Sequence, residues 1–146
     1  MSAAFALDER LRADSVAVLD LPLCAVRLMH DARFAWLLLV PRRAGLVEVA
    51  DLEPAAQAML WQECALAAAA LRSVAPCDKL NLGALGNIVR QLHLHVVARR
   101  VGDAAWPGPV WGAGRAEPYA EAALAARLDA LRQAFATPPD HLLPLP

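Results

Sequence analysis

The sequence predicts an α+β fold: an antiparallel sheet of about five strands, a long helix packed on it, and a C-terminal helix. Three observations carry that expectation. Short apolar stretches of strand length, punctuated by proline and glycine, occupy residues 16–40 and 79–98. Residues 54–73 hold an apolar period of 3.6 instead. Residues 91–96 alternate polar and apolar side chains, the signature of a strand with two unlike faces.

Taken in order, Ser2 can cap a short helix running to about Ala13, with Phe5, Leu7 and Leu11 as packing residues. Residues 16–19 and 24–29 then read as strands separated by Pro22, and His30-Asp31-Ala32-Arg33 as a turn. Residues 34–40 are a buried strand that Pro41 ends, because proline cannot donate to a sheet ladder. A hairpin is the economical arrangement for this region. Asp51-Leu52-Glu53-Pro54 has the chemistry of a helix start, with a capping carboxylate and a proline that the first turn tolerates. Apolar residues at 56, 59, 60, 64, 67, 68 and 71 carry that helix to about Ser73, before Pro76. Residues 79–85 and 88–98 follow as strands joined through Gly86-Asn87. Residues 102–114 are irregular, 119–135 form a second amphipathic helix, and 137–146 are a proline-rich tail. The expected organisation is one domain over residues 1–136 plus that tail.

The 146 residues suit a single domain, and a hydrophobic fraction of 58% is enough for a real core and too high for a disordered chain. A mean hydropathy of +0.37 raises a membrane question. The apolar run at 34–40 spans seven residues, against roughly 20 needed to cross a bilayer. Much of the hydropathy is alanine, so no membrane partner is expected. Fourteen Lys and Arg against fifteen Asp and Glu give a net charge of −1. That balance argues against coating extended nucleic acid, where a basic stripe is the footprint, and leaves room for a small anion held by a few aimed donors. The start of the chain carries acids early and lacks a secretory pattern. Cys24, Cys64 and Cys77 are odd in number with no CxxC spacing, which fits free thiols in a reducing cytoplasm.

The chemistry concentrates in Asn81-Leu-Gly-Ala-Leu-Gly86-Asn-Ile-Val-Arg-Gln91-Leu-His93-Leu-His95-Val-Val97. On a strand, Gln91, His93 and His95 point one way and Leu92, Leu94 and Val96 the other. Two imidazoles at this spacing admit three readings. They can be an exposed, solvated pair. They can chelate a metal, but zinc wants three or four ligands and no nearby Cys, Asp or Glu completes a set; no metal and no cofactor is expected. They can act at phosphorus, where a neutral imidazole attacks to form a phosphoramidate that water later cleaves. A second histidine then assists at the phosphoryl oxygens or leaving group. The backbone N–H groups of Gly86-Asn87-Ile88 are placed to hold phosphate oxygens without net positive charge.

This segment resembles the histidine triad (HIT) superfamily of nucleotide hydrolases and transferases, whose signature is His-φ-His-φ-His-φ-φ with φ apolar. Here it reads Gln91-Leu92-His93-Leu94-His95-Val96-Val97. Asn81-x-Gly83 with Gly86-Asn87 resembles the family's Asn-x-Gly…Gly-Gln lead-in. Leu38-Leu39-Val40-Pro41-Arg42-Arg43 resembles its upstream strand ending in Pro-Lys/Arg, and Trp106-Pro107 a Trp-Pro that follows the triad in some members. The resemblance implies His93 as nucleophile and His95 as its assistant at the phosphate. It implies Asn81 near the nucleotide, and Gly86, Asn87 and the Ile88 amide at the phosphate. Asp31 falls where the family often places a ribose-contacting acid. The resemblance further implies a homodimer in which two sheets join, with a small-molecule nucleotide as substrate.

Two positions depart from the pattern. Gln91 stands at the first triad position and cannot change protonation near neutral pH, although a related transferase branch tolerates glutamine at the third. Trp36 stands where many members carry a histidine, five residues before the proline. A nucleotide-binding or sensing module without useful turnover is therefore the alternative to a hydrolase. Arg42, Arg43, Arg90, Arg99 and Arg100 read as solvated surface arginines, Cys64 as a small buried hydrophobe, and Trp106 and Trp111 as packing residues.

Overall fold

The computed structural model describes residues 3–142 and contains one five-stranded antiparallel sheet. Its strands are β1 (Ser15–Asp20), β2 (Cys24–Met29), β3 (Ala35–Pro41), β4 (Lys79–Gly83) and β5 (Leu94–Arg99), in the order β1-β2-β3-β5-β4. Three helices accompany it: α1 (Glu9–Asp14), α2 (Pro54–Val74) and α3 (Glu121–Ala136). The long α2 is the crossover that lets β4 and β5 join the hairpin-linked β1–β3 at the far side.

β5 is buried along its whole length and β3 everywhere but its first residue. Strands covered on both sides can be apolar on both, which is why residues 34–40 form a continuous hydrophobic run. On one face, Val26, Leu28, Leu37, Leu39, Leu94 and Val96 meet Leu60, Cys64, Ala67 and Leu71 of α2, and Leu131 of α3 completes the cluster. The other face carries Trp36, Leu38, Val40 and Val97, covered by Leu11 of α1, Phe34 and Val110. Glu63 is the polar exception on the inner face of α2. Its buried carboxylate accepts hydrogen bonds from the Leu23 and Cys24 N–H groups, two donors that start β2. Burial pushes the Cys24 thiol upward and the Cys64 thiol up to about 12, so both remain neutral packing groups.

Several boundaries differ from the sequence expectation, each for a local reason. The N-terminal helix begins at Glu9, because the Asp8 side chain caps it by accepting from the Arg10 N–H; Ser2 lies outside the described residues. Asp51 does not cap α2. It closes a capping box with Glu48 around a 3-10 turn (Val49–Asp51), leaving Glu53 at the N-cap and Pro54 at the first helical position. β4 stops at Gly83 rather than residue 85, and β5 begins at Leu94 rather than 88. Pro41, the final residue of β3, pairs with Cys24 and not with the segment before β5. The Leu92 N–H goes instead to the Leu46 carbonyl. With no strand opposite them, residues 88–93 run as irregular chain. α3 spans Glu121–Ala136, two residues later at its start than expected. A 3-10 turn, Asp140–Leu142, forms within the proline-rich tail.

Candidate active site

His95 lies within β5, opposite Leu38 of β3 and Gly83 of β4. His93 precedes the strand by one residue, yet the alternation continues through it. Leu92 and Leu94 enter the helix-covered cluster, while the rings of His93 and His95 meet edge to face with centroids 4.9 Å apart. Each histidine is 7% exposed.

The two imidazoles have opposite tautomers, fixed by what each Nδ1 touches. His93 Nδ1 lies 2.7 Å from the Gln91 carbonyl oxygen. A carbonyl only accepts, so Nδ1 donates and Nε2 keeps its lone pair. His95 Nδ1 accepts from the indole Nε1–H of Trp36 at 2.9 Å. An indole N–H only donates, so the His95 proton sits on Nε2. Burial first, and then the neighbouring His93, lower the His95 pKa to about 3. One ring thus offers a lone pair and its neighbour a neutral N–H.

Trp111 closes the other side of His95, with ring centroids 5.2 Å apart. Its benzo edge lies over Gly83, where a Cβ would come within 3.0 Å of the Trp111 ring. A Cβ at 83 would press on the indole and force it to give by a few tenths of an ångström, so glycine suits this close approach. Among the described residues the buried Trp111 Nε1–H has no partner. Asn81 pairs with Val97 and shares its face. Its Oδ1 accepts from Arg99 Nη1 at 2.9 Å, which turns the amide and, among the described residues, leaves its NH2 without an acceptor.

Arg99 was expected at the surface and is instead 1% exposed. Asp103 receives its Nε and Nη2 in a bidentate pair at 2.7 and 2.9 Å, which holds the Asp103 carboxyl down at about 2. The guanidinium also lies 5.7 Å from the Trp106 ring centre. The signal was present in the sequence: Arg99 continues the parity of His95 along the strand, and Asp103 follows four residues later. Arg43, Arg90 and Arg100 are exposed.

Not all the expected residues converge. The Gln91 side chain turns toward the N-terminal segment, where Oε1 accepts from the Asp8 N–H and Nε2 donates to the Ala6 carbonyl. Only its backbone carbonyl touches the histidines. Gly86 adopts φ +74°, the left-handed region that favours glycine, and so turns the chain between β4 and β5. Asn87 and Ile88 are exposed there, and the Ile88 carbonyl accepts from Arg10 Nη1. Among the described residues their N–H groups have no acceptor. Asp31 is buried, with its oxygens accepting from Arg33 side-chain and backbone donors and from the Glu117 N–H. Burial alone would raise its pKa, but those hydrogen bonds outweigh it and the carboxylate is held below its usual range. It holds Glu117, while Arg33 Nη1 donates to the Ala113 carbonyl and His30 Nδ1 accepts from the Tyr119 N–H. A cavity of about 370 Å³ lies beside it, lined by Met29, Asp31, Trp36, Val110 and Gly112 among others, so Trp36 borders both this hollow and His95. Among the described residues no three His, Cys, Asp or Glu side chains converge as a metal site, and no helix is long and apolar enough to cross a membrane.

A small α+β domain presenting paired imidazoles from the end of a central strand defines the class of protein. The HIT domain sequence profile matches residues 10–102, and the chain belongs to that family. A histidine triad protein of Sinorhizobium meliloti is similar in structure, with 52% identity, a TM-score of 0.87, and coverage of 89% of this chain and 96% of that one. Another, of Bradyrhizobium japonicum, shows 45% identity and a TM-score of 0.89 over 91% of this chain and 99% of that chain. A third, of Marinobacter aquaeolei, shows 40% identity and a TM-score of 0.89 over 92% and 98%. No curated protein matches the sequence.

Proposed function

We propose that the protein is a nucleotide hydrolase or transferase acting at the α-phosphate of a phosphoanhydride, phosphoramidate or dinucleoside polyphosphate. The observation that carries this reading is the His93 Nδ1 contact with the Gln91 carbonyl. It leaves the Nε2 lone pair as the reactive site of a ring packed against a hydrogen-bond donor. Nε2 attacks phosphorus, the bond from phosphorus to the leaving atom breaks, and the leaving group departs with its electron pair. The phosphorylated imidazolium keeps its Nδ1–H on the Gln91 carbonyl. Water then attacks the same phosphorus, the P–N bond breaks with its electrons returning to Nε2, and the water proton passes to solvent.

His95 Nε2–H supports the charge on the phosphoryl or leaving oxygen. Asn81 through its NH2, and the Asn87 and Ile88 N–H groups in the turn after Gly86, hold ligand oxygens. The cavity beside Trp36 and Asp31 is of a size to take a nucleoside. A homodimer and a cytoplasmic setting belong to the same proposal.

Incubation with adenosine phosphoramidate and with diadenosine polyphosphates tests it. Turnover is expected, together with rapid-quench capture of phosphorylated His93. His93→Ala should lose at least about 1,000-fold in kcat; undiminished turnover in that variant would falsify the nucleophile. The limited exposure of both rings, at 7% each, favours one second reading, a nucleotide-binding or sensing module. That module would bind AMP or GMP measurably and give no phosphohistidine.

A further inference from the structure

Trp36 sets an indole N–H against His95, and that contact has a consequence for the leaving group. We infer that Trp36 is a positioning residue that locks His95 as a neutral Nε2–H donor, so that the site is selective for phosphoanhydrides over phosphoramidates. The inference rests on the hydrolase reading above and names the substrate class within it.

Proton balance at His95 decides which leaving groups the site can serve. The Trp36 Nε1–H and the His95 Nδ1 are 2.9 Å apart, and the indole can only donate. An imidazolium carries hydrogens on both nitrogens, so protonating His95 would set two N–H groups against each other in a buried contact. The groups around His95 offer no relief. β3 contributes Trp36 and Leu38, β4 contributes Gly83, the 102–114 segment contributes Trp111, and His95's own strand segment contributes His93, which disfavours a second positive charge. No carboxylate among the described residues pairs with the ring.

A neutral imidazole can still hydrogen-bond. When an anhydride is cleaved, the P–O bond breaks, the bridging oxygen leaves as a phosphate anion, and the Nε2–H steadies that charge without giving up its proton. An amidate differs. Its P–N bond breaks with both electrons going to nitrogen, which must gain a proton to leave as an amine. His95 cannot supply it, since that step requires an imidazolium at the start or an imidazolate at the end.

The experiment compares diadenosine tetraphosphate with adenosine phosphoramidate at pH 7, on the intact chain, by kcat/KM. A preference of about 100-fold or more for the anhydride is expected, the lower range of what a general acid contributes. In parallel, the 15N shifts of His95 should show an unprotonated Nδ1 and a protonated Nε2 from pH 8 down to pH 5. In Trp36→Phe, which keeps an aromatic ring and removes the donor, His95 should titrate and the preference should fall at least about tenfold, with amidate cleavage rising toward acid pH. Equal or faster cleavage of the amidate by the wild type overturns the inference, as does an Nδ1–H or imidazolium signal at pH 7. Both of those measurements stand if the variant does not fold. Failure of the hydrolase reading looks different: neither nucleotide is cleaved and no phosphohistidine forms, whatever the His95 tautomer.

Discussion

The two faces of one sheet are built on different terms. The face under α2 and α3 is filled by Leu28, Leu37, Leu39, Leu60, Leu71, Val96 and Leu131, all nearly or completely buried. The opposite face carries Trp36, His95, Asn81 and Arg99 and is covered by α1 and the irregular 102–114 segment. Helices bring rows of hydrocarbon that need only fit, so the first face stores stability. The second holds polar atoms out of water, and each partner there has been chosen by donor or acceptor type. Changes on one should register as lost stability, and on the other as altered proton placement.

Leu60→Ala is the strongest way to sharpen this contrast. Leu60 is fully buried, and truncation there should cost about 2–5 kcal/mol in urea unfolding while activity per folded molecule stays near wild type. A fall in specific activity matching the fall in stability would break the comparison.

The effect of acid is gradual and is read as a slope per pH unit. His95 has its folded pKa lowered to about 3 from 6.5. The unfolded chain therefore binds more protons across that window, and stability falls as pH drops through it, by at most about 1.4 kcal/mol per unit. Asp103, held at about 2 by Arg99, adds to the loss below its ordinary value of 3.8, where its window overlaps only the acid end of that of His95. His95→Gln should flatten the slope of stability between pH 6.5 and 4. An unchanged slope would assign the proton uptake elsewhere.

The smallest change concerns Gln91. Gln91→Ala removes two contacts to the N-terminal segment and should cost about 1–2 kcal/mol. It keeps the backbone carbonyl that His93 needs, so kcat should change less than tenfold. A hundredfold loss would show that the amide itself meets the substrate.

Much of this was legible from residues alone. The 3.6 period marked α2 to within a residue of its end, and the alternation from 92 to 98 sorted leucines from histidines correctly even where no strand forms. That pattern reports which way side chains point and is silent about hydrogen-bonded partners. Residues 88–93 were therefore read as strand, although Pro41 and the end of β4 leave nothing to pair with them. Trp36 was visible as a departure from the family pattern, but an indole in a sequence does not say where its N–H points. Arg99 was misplaced because charge was weighed without strand parity. The tautomers were beyond reach, since the decisive acceptor for His93 is a main-chain atom.

Gly83 and Trp111 are far apart in the chain, yet the empty volume above one is filled by the other. They behave as a single shared occupant. Enlarging 83 pushes on the ring that covers His95, trimming 111 uncovers the imidazole, and doing both together exchanges one filling for another. The space beside His95 is thus set jointly by two positions, and neither can be altered without renegotiating the room of its counterpart.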